Sequence, residues 1–380
     1  MKMIRNKKLE MISLCEIISE YKETNSDNKY RPVAVGKYGI RTRESIYSKE
    51  LAKDYSKNKL IYKDTLTVGM GSNQIDIGIL AEDKIYSVSP AYHTYKIKNI
   101  NSSYLDYCLK CRNADMFNQF VKRGSRQGKS IDLKRWLTYQ IPVYDKETQL
   151  DIVYRLEIAL KLIKLREQQL QKLNELVKAR FVEMFGDPVN NSKGLPELTL
   201  PELGEFGRGV SKHRPRNDPK LLGGKYPLIQ TGEVANSELY ITSFENTYSE
   251  LGLKQSKMWQ SGTLCITIAA NIAKTAILTF NACFPDSVVG FKANEKTNNV
   301  FIHYWFSFFQ AILEAQAPES AQKNINLKIL SELKIIVPPI EQQNEFVAFV
   351  EQTNKSKFAV QKALDEAQTL FDSLMQEYFG

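Results

Sequence analysis

The stretch GSRQGKS, residues 124–130, falls one residue short of a phosphate-binding loop. Such a loop needs four residues between its glycines, so that successive backbone N–H groups wrap a polyphosphate ahead of the lysine. Here only Ser125, Arg126 and Gln127 separate Gly124 from Gly128, and Arg123 stands where the glycine would be needed. Asp76 with Glu82 and Lys84 loosely matches the D…ExK metal site of nucleases, a pattern short enough to arise by chance in a lysine-rich chain. Cys108 and Cys111 form a CxxC, but one pair cannot complete a tetrahedral zinc site. They sit in YLDYCLKCRNADMFNQF, which reads as an amphipathic helix, so core packing is the better reading.

Recognition chemistry is better represented than catalytic chemistry. RPVAVGKYGIRTRES (31–45) reads as a strand, a glycine-marked turn and an arginine-bearing loop, offering Arg31, Lys37, Arg41 and Arg43. TLTVGMGSNQIDIGIL (65–80) reads as two strands around a loop holding Ser72 and Gln74. Further along, RGVSKHRPRNDPK (208–220) sets Lys212, His213, Arg214 and Arg216 in a proline-broken loop, and YPLIQTGEV (226–234) reads as a strand ending in Gln230 and Thr231. Arginine to guanine and glutamine to adenine are the pairings that major-groove geometry favours, and loop residues vary without disturbing a core. Arg123, Arg126 and Lys129, with Lys274 and Lys323, complete a candidate DNA-contacting set. For each of these the plainer alternative is a solvated surface residue.

The elements that must hold these loops occur twice. IDLK (131–134) recurs as INLK (325–328), QLDIVYRLE (149–157) as QNEFVAFVE (343–351), and FVEMFG (181–186) as MQEYFG (375–380), all at one offset of 194 residues. With drifting offsets, MISLCEI (11–17) resembles ELTLPEL (197–203), KDTLTV (63–68) resembles SGTLCI (261–266), and YLDYCLKC (104–111) resembles FIHYWFSF (301–308). The chain reads as two copies of one unit, each a globular segment followed by a long helix. The repeat also bears on GSRQGKS: its counterpart ESAQKNINLK keeps a lysine, Lys323, but no glycine. Lys129 and Lys323 are therefore better placed for a phosphate backbone than for a nucleotide.

Along the first helical segment Ile152, Leu156, Ala159, Ile163, Arg166, Leu170, Leu173, Val177, Arg180 and Met184 recur in steps of four and three, a coiled-coil seam. A shift of 194 gives Phe346, Val350, Thr353, Lys357, Val360, Leu364, Ala367, Phe371, Leu374 and Tyr378. The polar breaks at Thr353 and Lys357 argue against a homodimeric zipper and for pairing of the two helices with each other. Copies related by a pseudo-twofold would make that pair antiparallel and bring Gly380 back to the first globular segment. The alternative is that each helix covers only its own domain.

At 380 residues, 43% hydrophobic and 25% charged, the chain has the composition of an ordinary globular protein of about two domains. No apolar run reaches the roughly 18 residues of a membrane span, and MKMIRNKKLEMISL has no cleavable apolar stretch, so the expectation is cytoplasmic. Five cysteines without an export signal argue for reduced thiols. Net charge is +11 over 1–140, 0 over 141–187, +2 over 188–336 and −4 over 337–380. A positive field on the globular segments, with neutral to acidic connectors, suits a polyanion held by the domains.

The two-copy layout, the junctions SIDLKRWLTYQIPVYDKETQLDIVYRLE and NINLKILSELKIIVPPIEQQNEFVAFVE, and the FVEMFGDP end of the first helix resemble the specificity subunit of type I restriction-modification systems. The resemblance spans nearly the whole chain. It is strong where the helices begin and weak in the globular segments, which in that family are target-recognition domains, each reading half of a split DNA site. One departure is Val143 and Tyr144 where the second copy has Pro339 and Ile340, which leaves the start of the first helix open. The resemblance implies an α+β fold, with target-recognition domains at 1–140 and 188–336 and long spacer helices at 141–187 and 337–380. Helices at 101–121 and 298–316 should pack on small twisted sheets.

It also implies a chain that is not itself an enzyme and binds no cofactor. S-adenosylmethionine would sit on two partner modification subunits, and ATP and Mg2+ on restriction subunits that translocate and cleave the double-stranded DNA; no membrane is involved. No Asn-Pro-Pro-Tyr, Asp-Pro-Pro-Tyr or FxGxG motif and no complete phosphate-binding loop occurs. Two other readings remain open at this point: a self-contained nuclease or methyltransferase, and a coiled-coil scaffold that does not bind DNA.

Overall fold

The computed structural model describes residues 9–36, 39–46, 54–124, 128–269, 271–316 and 325–380. The chain forms two compact units: residues 1–167 with 361–380, and residues 168–360. Both are built on the same plan.

In the first unit the strand Leu9–Ser13 pairs antiparallel with Gln140–Tyr144, Met11 opposite Pro142. A one-turn helix, Leu14–Ile17, follows; Glu16 turns back to accept the Ser13 backbone N–H at 3.0 Å, as a Ser-x-x-Glu capping pattern predicts. The chain then enters a four-stranded antiparallel sheet in the order Ile18–Tyr21, His93–Ile97, Thr65–Met70, Ile75–Ile79. Helices Ser102–Cys111 and Asn113–Phe120 cover it, burying Leu105, Cys108, Leu109 and Met116 against Leu66, Val68, Ile75 and Ile77. Cys108 is thus a core residue, and burial pushes its thiol up to about 12.

The second unit repeats this order. Glu197–Leu198 pairs with Ile335–Ile336, and the helix Leu200–Leu203 carries the same cap, Thr199 N–H to Glu202 at 2.7 Å. The sheet runs Gly204–Arg208, Val288–Ala293, Leu264–Thr267, Thr275–Leu278, with Tyr240–Ile241 added parallel at the edge. The helix Asn299–Gln316 covers it. A second sheet, in the order Asn246–Tyr248, Leu222–Leu228, Ala282–Cys283, Met258–Trp259, enlarges this unit. Among the described residues of the first unit, Val33–Gly36 pairs with Gly39–Thr42 and Lys59–Ile61 with Tyr86–Val88, each as a two-stranded sheet.

Both long helices, Lys146–Phe185 and Ile340–Phe379, have 40 residues, and their ends lie 194 positions apart. The open start of the first is therefore Lys146, where Asp145 accepts the Thr148 N–H at 2.9 Å. Each helix begins in the core of one unit and ends in that of the other. In the first unit Ile152, Val153 and Leu156 share a core with Tyr378 and Phe379, and Arg112 donates to the Gly380 carbonyl oxygen at 3.4 Å. In the second, Phe181 and Phe185 meet Phe301 and Phe346 ring to ring at 5.0–5.7 Å.

This is the antiparallel closure the seam predicts, and it overturns the alternative that each helix covers only its own domain. Each buried phenylalanine contributes about 1.5–3 kcal/mol, so the far end of each helix is held by the unit it reaches. The polar breaks have partners: Thr353 donates to the Phe349 carbonyl oxygen at 2.9 Å, and Lys357 pairs with Glu238 at 3.4 Å. Among the described residues no helix is long and apolar enough to cross a membrane.

Candidate nucleic-acid interface

In the first unit the hairpin Thr65–Met70/Ile75–Ile79 presents Ser72 and Gln74 at its turn, closed by Gly71 N–H to the Gln74 carbonyl at 3.1 Å. The Gln74 side chain donates to Asp76 at 3.2 Å. A second hairpin, Val121–Gly124 with Gly128–Ile131, brings Lys129 against this turn: its ammonium donates to the Ser72 carbonyl oxygen and lies 5.4 Å from the Phe117 ring centre. The structure therefore brings Lys129 beside the turn that carries Ser72 and Gln74, 57 positions from Ser72 in the chain. The two glycines of the near-phosphate-loop, Gly124 and Gly128, lie opposite each other on paired strands. Arg123 lies on its first strand opposite Lys129; Arg126 lies outside the described residues.

The second unit repeats the juxtaposition. The loop between Leu264–Thr267 and Thr275–Leu278 carries Lys274, whose N–H meets Thr267 Oγ1 at 3.0 Å. The segment entering the helix Leu327–Glu332 touches the same loop through Ile325 N–H and the Ile268 carbonyl at 3.0 Å. Lys323, the repeat partner of Lys129, lies outside the described residues.

The arginine-bearing segment of the first unit differs from the strand–turn–loop reading. Arg41 lies on the strand Gly39–Thr42 rather than in a loop, because Gly39, at φ +78°, turns the chain back early. Arg43 opens the turn Arg43–Ser45 and lies 5.9 Å from the Tyr55 ring centre. Arg31 pairs with Glu44 at 2.9 Å, both side chains well exposed. Lys37 lies outside the described residues.

In the second unit the 211–218 loop is tied down throughout. His213 N–H donates to Gln255 Oε1 and its ring meets Asp218, both at 3.0 Å. Lys212 N–H reaches the Gln255 carbonyl at 3.4 Å. Arg214 curls back on its own loop, donating to the Ser211 and His213 carbonyl oxygens at 2.5 and 2.9 Å. Asp286 pairs with Arg216 and, at 3.5 Å, with Arg214.

Gln230 and Thr231 do not extend a strand, which ends at Leu228; Gln230 caps the helix Thr231–Asn236, with its N–H on Glu233 at 3.1 Å. The strand reading failed there because Gln-Thr-Gly-Glu also satisfies a helix cap, and local capping won.

Sequence reading missed Asp286, Gln255 and Phe117 as supports of these loops. They are distant in sequence and of ordinary type, so no local pattern marks them.

The enzymatic patterns do not assemble into a centre. Glu82 pairs with Lys84 at 3.0 Å on the surface, while Asp76 is held above the usual carboxylate range by burial. Among the described residues no cluster of three or more His, Cys, Asp or Glu side chains is arranged to hold a metal.

The family model for the type I restriction modification DNA specificity domain matches residues 6–175 and again 197–367. A putative type I restriction enzyme specificity subunit from Methanocaldococcus jannaschii is 24% identical over 82% of this chain and 78% of its own length. Two solved structures share the fold. One is a chain from work on complex assembly and conformational transition of the type I R-M system, with 15% identity, TM-score 0.58, and 98% and 97% of the two chains covered. The other is the type I S subunit of M. genitalium, with 14% identity, TM-score 0.55, and 100% and 98% covered.

Proposed function

The chain belongs to the type I restriction-modification DNA specificity family, and from that membership we propose that its two halves read the two parts of a split DNA site through the loops described above. It is a specificity subunit with two target-recognition domains, itself non-catalytic, acting with DNA and with the other subunits of a restriction-modification system. The observation that carries the residue-level reading is the recurrence of one loop arrangement, a β-hairpin turn met by the segment ahead of a short helix, in both units.

On this reading residues 1–140 and 188–336 are the recognition domains, and 141–187 and 337–380 the spacer helices. Lys129 and Lys323 contact phosphates; Arg41, Arg216 and Gln230 contact bases. Two modification subunits dock, one per repeat, and bring S-adenosylmethionine, while restriction subunits bring ATP and Mg2+. The assembly works in the cytoplasm, where its DNA is.

The test is a domain exchange. Residues 9–135 are replaced by the corresponding region of a relative, the chimera is expressed with its modification subunit, and methylated adenines are mapped. One half of the recognised site should change and the other stay. Simultaneous change of both halves would refute one reader per half-site.

A further inference from the structure

We infer that Asp286 is a positioning residue for base readout in the second unit, holding the Arg216 guanidinium in the orientation that discriminates one base pair. This rests on the reading of the 211–218 loop as a recognition loop.

Three observations lead to it. Asp286 is the carboxylate on which both loop arginines converge, Arg216 on Oδ1 and Arg214 on Oδ2. The two arginines are not alike: Arg214 spends donors on the backbone of its own loop, at the Ser211 and His213 carbonyl oxygens, so it is part of the frame. Arg216 has no such backbone bond among those seen, and a single carboxylate oxygen engages only part of a fork with five N–H donors.

The frame itself is firmly seated. Gln255 accepts His213 N–H, Ser256 Oγ donates to the Val210 carbonyl oxygen at 2.7 Å, and Val210 N–H reaches the Phe284 carbonyl at 3.1 Å, two residues from Asp286. Loop and carboxylate are therefore tied together through hydrogen bonds between neighbouring segments of backbone.

Side chains of Arg216 and Asp286 are 45% and 35% exposed. An ion pair so exposed contributes little to stability, so holding the fold does not account for it. Orientation does. An arginine reads guanine with two N–H groups at once, which demands a fixed plane. A free arginine would supply charge to any phosphate, whereas one pinned along an edge keeps its geometry at the cost of part of its charge.

The test uses the chain co-expressed with its modification subunit, with the methylated-adenine map as readout. D286N removes the charge and keeps the shape. The methylated motif should become degenerate at one position of the half-site read by the second unit, with discrimination there reduced about tenfold or more. Affinity for unrelated duplex DNA should stay level or rise, since a negative charge has gone. R216K, which keeps charge and loses the fork, should relax the same position, and the double variant should be no worse than R216K alone.

An unchanged D286N motif, or relaxation at a position other than that of R216K, would overturn the assignment. So would a uniform affinity gain with discrimination intact, which is the signature of a carboxylate that only repels DNA. If the wild-type assembly itself produced no sequence-specific methylation, the failure would lie with the recognition reading.

Discussion

At the scale of single residues, the candidate contacts separate by what they touch. Lys129 reads as a loop lysine from its neighbours in sequence, yet it lies on a strand, with its ammonium on the Ser72 carbonyl oxygen and over Phe117. It can therefore brace the Ser72 turn as well as meet a phosphate, and Lys129→Met distinguishes the two because it keeps the stem over the ring. Loss of a phosphate contact should weaken binding to all duplexes and reduce the salt slope by about one unit. An unchanged slope with relaxed specificity would assign Lys129 to bracing. Arg41 and Gln230 have settings other than the loop and the strand end expected of them, one on a strand and one at a helix cap.

At the scale of elements, the helix starts are where the repeat is most literal. Gln149 and Gln343, 194 positions apart, are both buried and both tie a long helix to its own unit. Gln149 donates to the Tyr144 carbonyl at 2.7 Å and accepts Asn101 N–H at 2.9 Å. Gln343 donates to the Pro338 and Lys296 carbonyls at 2.8 and 3.1 Å and accepts Thr297 Oγ1 at 2.9 Å. Replacing either by leucine leaves buried polar groups without partners, at about 1–3 kcal/mol each. Gln343→Leu should lower stability by about 3 kcal/mol in urea titrations, and a loss below about 1 kcal/mol would show that water or a shift of the backbone replaces the bonds. The glutamines were visible in the aligned QLDIVYRLE and QNEFVAFVE; their distant partners Asn101, Lys296 and Thr297, ahead of Ser102–Cys111 and Asn299–Gln316, were not.

At the scale of the whole molecule, a 40-residue helix is about 60 Å long at about 1.5 Å per residue. If the paired helices set the distance between half-sites, the untouched spacer in the DNA should follow their length. One matched heptad inserted after Leu170 and after Leu364 keeps the seam in phase and lengthens each helix by about 10 Å, or about three base pairs at about 3.4 Å each. The methylation map should then show the same half-sites with a longer spacer; an unchanged spacer would end the idea that the helices act as a ruler.

Local pattern and repetition made four things legible in the sequence: two copies, the seam from Ile152 to Tyr378, the burial of Cys108, and the return of Gly380 to the first unit. Periodicity is legible because a helix face repeats every 3.6 residues whatever it packs against. Tertiary structure alone decided that Arg216 meets Asp286, that Lys129 meets Ser72, and that Phe181 and Phe185 of one helix complete a core with Phe301 and Phe346. Such pairs join residues tens of positions apart, and nothing in either local stretch marks the other. They are set by how the strands of each sheet order themselves and which loops that order brings to the same end.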